Sequence, residues 1–134
     1  MKINITQAQG RVPVAVMAPE GDLDGSNYQE LIAAGKKLRD AGATAIVLDL
    51  SSVGFVSSAG LLAIHSIGLL LRGKQPPDPE YGWGAFHAMA NDPGAASNLR
   101  LAGPGPLVTQ TLKKVGYDAY FEIYPDVASA VAAF

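Results

Sequence analysis

The sequence predicts an α/β fold in which a mixed sheet of about five strands carries an N-terminal hairpin and packs against about four helices. Two observations predict it: β-branched apolar runs alternate with helical patterns along the chain, and the central run is almost continuously apolar. The order β-β-α-β-α-β-α-β-α favours parallel central strands. The 134 residues, 49% of them hydrophobic, suit a single domain over residues 1–134 with a sizeable core.

The first two strands are predicted to form the hairpin at one edge of the sheet. Ile3 and Ile5 alternate with polar residues, and residues 12–17 form a second β-branched run. Gln9 and Gly10 provide the turn between the two runs.

The first helix is predicted after the acidic segment at residues 20–25. Ser26 and Gln29 have the spacing of a capping box. The apolar residues that follow share one helical stripe, namely Tyr28, Leu31, Ile32 and Leu38. Residues 45–50, which are apolar apart from Asp49, then predict a strand that is covered on both faces.

The second helix, predicted over about residues 58–72, is apolar nearly all round. A helix that packs through one face only would not need Leu62 and Leu69 on its other side. We therefore expect either more of the protein or a partner to cover these two leucines.

Residues 75–98 interrupt the regular pattern. They contain four of the nine prolines, three glycines and the single tryptophan, Trp83, so they do not form one regular element. Because aromatic side chains of this size pack onto surfaces, we expect the insertion to lie over part of the second helix.

The alternating pattern returns after this insertion. We predict a strand over residues 99–102, a helix after the Gly-Pro-Gly-Pro corner at 103–106, a short last strand over residues 120–123 and a final helix from Pro125.

Composition excludes several classes of protein. Ten basic and twelve acidic residues give a formal charge of −2, and no basic stripe indicates nucleic-acid binding. The absence of cysteine excludes disulfides, thiolate catalysis and cysteine-based zinc sites. The most apolar run, residues 61–71, is shorter than the roughly 20 residues that cross a bilayer, and the N-terminus lacks the apolar stretch of a signal peptide. We expect a soluble cytoplasmic protein without membrane insertion.

The sequence contains no convincing enzyme site. Ser58 has Gly60 after it but Val56 before it, which departs from the glycine pattern of a hydrolase elbow, and His65 lies further along the same helix. Two histidines are too few for a transition-metal site, and the acidic segment lacks the ligand count of a calcium loop. The Gly-Pro-Gly-Pro corner lacks the N–H donors of a phosphate loop. We expect no catalysis, no metal and no cofactor.

Residues 46–62 place Ser57 and Ser58 at the start of the second helix. The unpaired N–H groups and the positive dipole end of a helix N-terminus receive negative charge well. Phosphorylation of Ser58 would therefore do little damage to the fold, which makes Ser58 a candidate switch. The local pattern alone favours the simpler interpretation, in which Ser57 or Ser58 only caps the helix.

Residues 47–61 (VLDLSSVGFVSSAGL) resemble the central strand, loop and phosphoacceptor helix of the STAS family, the anti-sigma factor antagonists. Residues 20–24 (EGDLD) match that family's acidic turn, residues 99–104 resemble its later strand and turn, and residues 115–131 resemble its closing strand and helix. The likeness covers nearly the whole chain except residues 75–98, where relatives have a brief connection. It implies a single STAS-like domain that carries an insertion between the second helix and the following strand.

The resemblance also implies a function. Ser58 corresponds to the serine that the family's partner kinase phosphorylates. Ser57 falls where phosphorylated members often have aspartate and many relatives have serine, and Asp24 matches an acidic residue beside the phosphoacceptor. In this family the unphosphorylated protein binds an anti-sigma factor, often itself a serine-protein kinase, and so releases the sigma factor. Phosphorylation abolishes this binding and a PP2C-type phosphatase restores it. A weak dimer is compatible with the resemblance. The implied partner-binding residues are Asp22, Asp24, Phe55, Ser57, Ser58, Gly60, Leu61, Leu62 and Leu69.

Two other functions fit the same sequence. A STAS-like module can be a constitutive scaffold that regulates a membrane lipid transporter or forms part of a stressosome-like assembly. A small-ligand sensor would use a pocket beneath residues 75–98.

Overall fold

The computed structural model describes residues 1–73 and 98–134. Within them, a five-stranded sheet has the order β1-β2-β3-β4-β5. The strands are β1 (Ile3–Gln9), β2 (Pro13–Pro19), β3 (Ile46–Asp49), β4 (Leu99–Ala102) and β5 (Ile123–Tyr124). Strands β1 and β2 pair antiparallel, whereas β2 to β5 pair parallel. The predicted mixed sheet with an N-terminal hairpin at one edge is confirmed.

Five helices accompany this sheet in the described parts of the chain. They are α1 (Tyr28–Asp40), α2 (Ser58–Leu71), α3 (Pro106–Lys114), α4 (Tyr117–Tyr120) and α5 (Val127–Ala132). The helix beyond the expected four is α4, a single turn. None of the helices within residues 1–73 and 98–134 has both the length and the apolar character that crossing a bilayer requires.

The core lies on both faces of the sheet. Helices α1 to α4 cover one face with the larger cluster, in which Met17, Leu48 and Ile64 are fully buried. Helix α5 covers the other face through Ala130 and Val131. Because β3 is enclosed on both sides, it is apolar apart from its last residue, as the sequence predicts.

The last strand lies later in the chain than the predicted residues 120–123. Gly116 adopts the left-handed conformation (φ 81°) between α3 and the turn α4, which ends at residue 120. The turn buries Tyr117, whose hydroxyl donates a 2.6 Å hydrogen bond to the Leu61 carbonyl oxygen in α2. Burial raises the pKa of the Tyr117 hydroxyl, which therefore remains a donor. Tertiary packing of the aromatic rings thus overrides the β propensity of this segment.

Two predictions concern residues 75–98, namely their packing over α2 and a ligand pocket beneath them. All of these residues except Asn98 lie outside the described part of the chain.

Candidate functional site

Four loops meet at the carboxyl edge of the parallel strands, one after each of β2, β3, β4 and β5. In an open α/β sheet, binding sites form outside the carboxyl ends of the strands. Most of the site residues implied by the sequence lie in the first two loops or at the start of α2. We call residues 20–25 the acidic turn and residues 50–57 the β3–α2 loop.

Backbone hydrogen bonds join the acidic turn to the β3–α2 loop. The Leu23 N–H donates to the Phe55 carbonyl oxygen (2.9 Å), and the Ser57 N–H donates to the Leu23 carbonyl oxygen (2.8 Å). A third bond runs from the Gly21 N–H to the Ser52 carbonyl oxygen (3.0 Å). The Leu23 side chain is also fully buried. The hydrogen bonds and this buried side chain together fix the position of the acidic turn relative to the β3–α2 loop.

Gly60, in the first turn of α2, allows the helix to begin directly against the acidic turn. A Cβ atom at this position would lie 2.9 Å from the Leu23 carbonyl oxygen and 2.8 Å from the Val56 side chain. These distances are too short for a carbon atom, and the first involves backbone that cannot rotate away. Glycine is therefore required for this close approach.

The two adjacent serines have different environments. Ser57 is the N-cap of α2, and its Oγ accepts a 3.3 Å hydrogen bond from the Gly60 N–H. Ser58 is the first helical residue and is exposed. The first turn of α2 contains no acidic residue. The capping role thus belongs to Ser57, and Ser58 lies at the surface beside the positive end of the helix dipole.

The Asp24 carboxylate is bound within its own loop. It accepts hydrogen bonds from the Ser26 hydroxyl (2.5 Å) and the Ser26 N–H (2.9 Å). These bonds, the side-chain one foremost, lower the pKa of Asp24. The contact therefore stabilises the folded state above the unfolded-state pKa of the carboxyl group, and this contribution is lost as the pH falls through the folded-state pKa.

The capping box predicted from Ser26 and Gln29 is wrong. The Ser26 hydroxyl is bound to Asp24, and α1 begins one residue later than a Ser26 cap would require, with Asn27 in the N-cap position. The side chain of Asn27 does not bond forward into the helix. Its Oδ1 instead accepts from the Asp24 N–H (3.0 Å), and its Nδ2 donates to the Asp22 carbonyl oxygen (2.7 Å). An asparagine before an apolar helical stripe is a recognisable N-cap signal, but that signal does not reveal bonds into the acidic turn.

The implied partner-binding residues divide by exposure. The exposed ones are Asp22, Phe55 and Ser58, with 44% of Phe55 accessible. The half-buried ones are Asp24, Ser57 and Leu69. The buried ones are Gly60, Leu61 and Leu62, and the two leucines are only 4% and 5% exposed. Leu61 and Leu62 are therefore interior side chains, which differs from the expectation that they contact a partner. The β3–α2 loop and the acidic turn instead supply the exposed surface.

Four solved structures are similar to that of this chain. A protein of Thermotoga maritima described as a candidate anti-sigma factor antagonist is 20% identical, with a TM-score of 0.66 over 96% of this chain and 90% of its own. An anti-sigma factor antagonist from Mycobacterium paratuberculosis is 22% identical, with a TM-score of 0.66 over 98% of this chain and 93% of its own. The anti-sigma factor antagonist SpoIIAA in its unphosphorylated form is 17% identical, with a TM-score of 0.56 over 91% of this chain and 87% of its own. The Bacillus cell fate determinant SpoIIAA in its phosphorylated form is 15% identical, with a TM-score of 0.51 over 91% of this chain and 90% of its own.

No protein-family model matches the sequence, and no curated protein matches it significantly. The structural likenesses show that the chain has the STAS fold of anti-sigma factor antagonists.

Proposed function

We propose that this protein is a bacterial anti-sigma factor antagonist that acts as a phosphorylation-controlled partner switch in the cytoplasm. The unphosphorylated form binds an anti-sigma factor, itself a serine kinase, and so releases a sigma factor for transcription. Phosphorylation of Ser58 ends this binding, and a PP2C-type phosphatase reverses it. The observation that carries the proposal is the exposed Ser58 at the N-terminus of α2. Gly60 allows this helix to begin directly against Leu23 of the acidic turn. The two forms of SpoIIAA, which has the same fold, support this interpretation.

The fold itself tolerates a phosphate on Ser58. A phosphoryl group adds about −1.5 to −2 charges and three acceptor oxygens. The first turn of α2 lies at the positive end of the helix dipole and has no acidic side chain of its own. The modified protein is therefore expected to keep its structure.

The interface with a partner does not tolerate the same group. On binding, the phosphate would lose its water and approach the carboxylates of the acidic turn, Asp22 and Asp24. Each ~1.4 kcal/mol of unfavourable energy lowers the affinity tenfold, so a few kcal/mol are enough for release. The protein needs no catalytic group, because the partner supplies the kinase activity.

Incubation with ATP and the cognate kinase is expected to place one phosphate on Ser58. Ser58 is exposed, whereas the half-buried Ser57 uses its hydroxyl oxygen as the cap of α2. Mass spectrometry of the digested protein locates the phosphate, and Ser58→Ala serves as the control that accepts none. Phosphate found on Ser57 in the unmutated protein, or on neither serine, contradicts the proposal.

Replacement of Phe55 by alanine is expected to lower the affinity for the anti-sigma factor by about tenfold or more. Phe55 lies in the β3–α2 loop with 44% of its surface exposed, and its carbonyl oxygen is bonded to the Leu23 N–H. An aromatic side chain has only two side-chain torsions, so it loses little conformational entropy when a partner buries it. Isothermal titration calorimetry provides the measurement.

Leu107→Ala is the matched control for this variant, because Leu107 on α3 is 54% exposed and lies outside the proposed surface. Both variants should unfold like the unmutated protein, since both remove exposed side chains. Equal affinity of Phe55→Ala and Leu107→Ala would exclude Phe55 from the interface.

A further inference from the structure

Resting on the proposed function, we propose that Asn27 is a positioning residue that holds the acidic turn in the conformation recognised by the anti-sigma factor. Asn27 itself lies outside the acidic turn, at the start of α1. Its side chain makes two hydrogen bonds, and both reach back into the turn.

The two bonds use the donor and the acceptor of the primary amide. Oδ1 accepts from the Asp24 N–H at 3.0 Å, and Nδ2 donates to the Asp22 carbonyl oxygen at 2.7 Å. Among short side chains, asparagine alone offers both an amide acceptor and an amide donor. Asparagine therefore fits this position in a way that aspartate, serine and threonine do not.

The bonded groups flank Leu23, the residue that joins the turn to the β3–α2 loop. The N–H and the carbonyl oxygen of Leu23 are bonded to Phe55 and Ser57. The chain on either side of Leu23 is bonded to Asn27. The turn is thus held from two directions, by the loop that precedes Ser58 and by the start of α1. Without the Asn27 side chain, the backbone bonds from the Asn27 and Tyr28 N–H groups to the Asp24 carbonyl oxygen (3.2 and 3.0 Å) remain, but the attachment of α1 to Asp22 is lost.

This arrangement holds the backbone that carries the Asp22 and Asp24 carboxylates, in a turn that is also bonded to the loop preceding Ser58. A looser turn would present the same charges in many orientations, and a partner would have to order them on binding. Asn27 therefore acts on recognition through the acidic turn and needs no contact with the partner.

The test compares Asn27→Ala with Gln29→Ala, a control variant on the first turn of α1. Within residues 1–73 and 98–134, the exposed Gln29 side chain donates to the neighbouring Tyr28 hydroxyl and not to the acidic turn. Hydrogen–deuterium exchange should show the Leu23 and Ser57 amides exchanging about tenfold faster in Asn27→Ala, the scale expected when one or two hydrogen bonds are lost. Neither of these amides is bonded to Asn27, so faster exchange reports loosening of the whole turn. Amides in the middle of α1 should exchange as before. The affinity for the anti-sigma factor should fall by about tenfold as well.

Asn27→Asp separates positioning from simple helix capping. Aspartate and asparagine are about equally good N-caps, so a capping role predicts that Asn27→Asp behaves like the unmutated protein. The positioning role predicts that it does not, because a carboxylate cannot donate to the Asp22 carbonyl oxygen. Unmutated behaviour of Asn27→Asp in both exchange and affinity overturns the inference.

Other outcomes are also decisive. Unchanged exchange at Leu23 and Ser57 in Asn27→Ala overturns the inference, and so does faster exchange with unchanged affinity. If the unmutated protein binds no anti-sigma factor, the proposed function fails. The exchange data then decide alone whether Asn27 holds the turn.

Discussion

Ser58→Asp is expected to stabilise the fold slightly while it weakens anti-sigma factor binding on the order of 100-fold, or about 2.8 kcal/mol. A negative charge in the first turn of α2 interacts favourably with the helix dipole, which contributes about 0.3–1 kcal/mol to the free energy of unfolding. In the complex the same carboxylate must lose water and approach the acidic turn, where like charges cost several kcal/mol. Urea denaturation and calorimetric titration measure the two opposite effects.

Ser58→Asn is the matched control, because asparagine has the shape of aspartate without its charge. It should bind the anti-sigma factor far better than Ser58→Asp, and Ser58→Ala should bind like the unmutated protein. Equal binding by all three variants would reject the switch. It would favour the alternative in which a STAS-like module serves as a constitutive scaffold.

Gly60→Ala is expected to lower the free energy of unfolding by about 1–3 kcal/mol and to reduce partner affinity by more than tenfold. The added Cβ atom would lie 2.9 Å from the Leu23 carbonyl oxygen and 2.8 Å from a Val56 methyl group. The methyl group can move, but the oxygen belongs to the backbone that joins the acidic turn to the β3–α2 loop. The first turn of α2 must therefore shift away from the acidic turn and carry Ser58 with it. Chemical denaturation and titration with the partner measure both effects.

Gly25→Ala is the control for this substitution. Gly25 lies in the acidic turn, and a Cβ atom placed there has no heavy atom within 4 Å. The variant should unfold at the same denaturant concentration as the unmutated protein or at a slightly higher one, since alanine restricts the unfolded chain. If Gly60→Ala proves as stable as Gly25→Ala and binds equally well, close packing of α2 on the acidic turn is not required.

Much of the fold follows from local pattern. Strand β3 is predicted because its residues are apolar on both faces, and the structure encloses it between α5 and the other helices. The stripe of α1 is predicted from its helical spacing, and Leu31 is indeed fully buried. Such signals are visible in a sequence because the period of the apolar residues depends only on the type of element.

Two of the differences between prediction and structure arise where another contact competes with the predicted element. Residues 120–123 have the composition of a strand, but packing of the Tyr117 ring and its bond to Leu61 turn the preceding segment into α4. Ser26 has the spacing of a cap, but its hydroxyl is bound to Asp24. In the first place a contact between residues far apart in the chain displaced the predicted strand; in the second a competing hydrogen bond to a residue two positions away displaced the predicted cap.

Local sequence was enough to predict the order of the elements, the position of Ser58 at the start of α2 and the resemblance to the anti-sigma factor antagonists, because each depends on residues that are close in the chain. Three features required the three-dimensional contacts: Ser57 is the cap while Ser58 is exposed, Leu61 and Leu62 are interior, and the Asn27 side chain bonds to the acidic turn. The position of that turn beside α2 depends on which backbone groups meet across the carboxyl edge of the sheet. Segments up to about 35 residues apart come together there through the pairing of β2 with β3, so no local pattern records the contact.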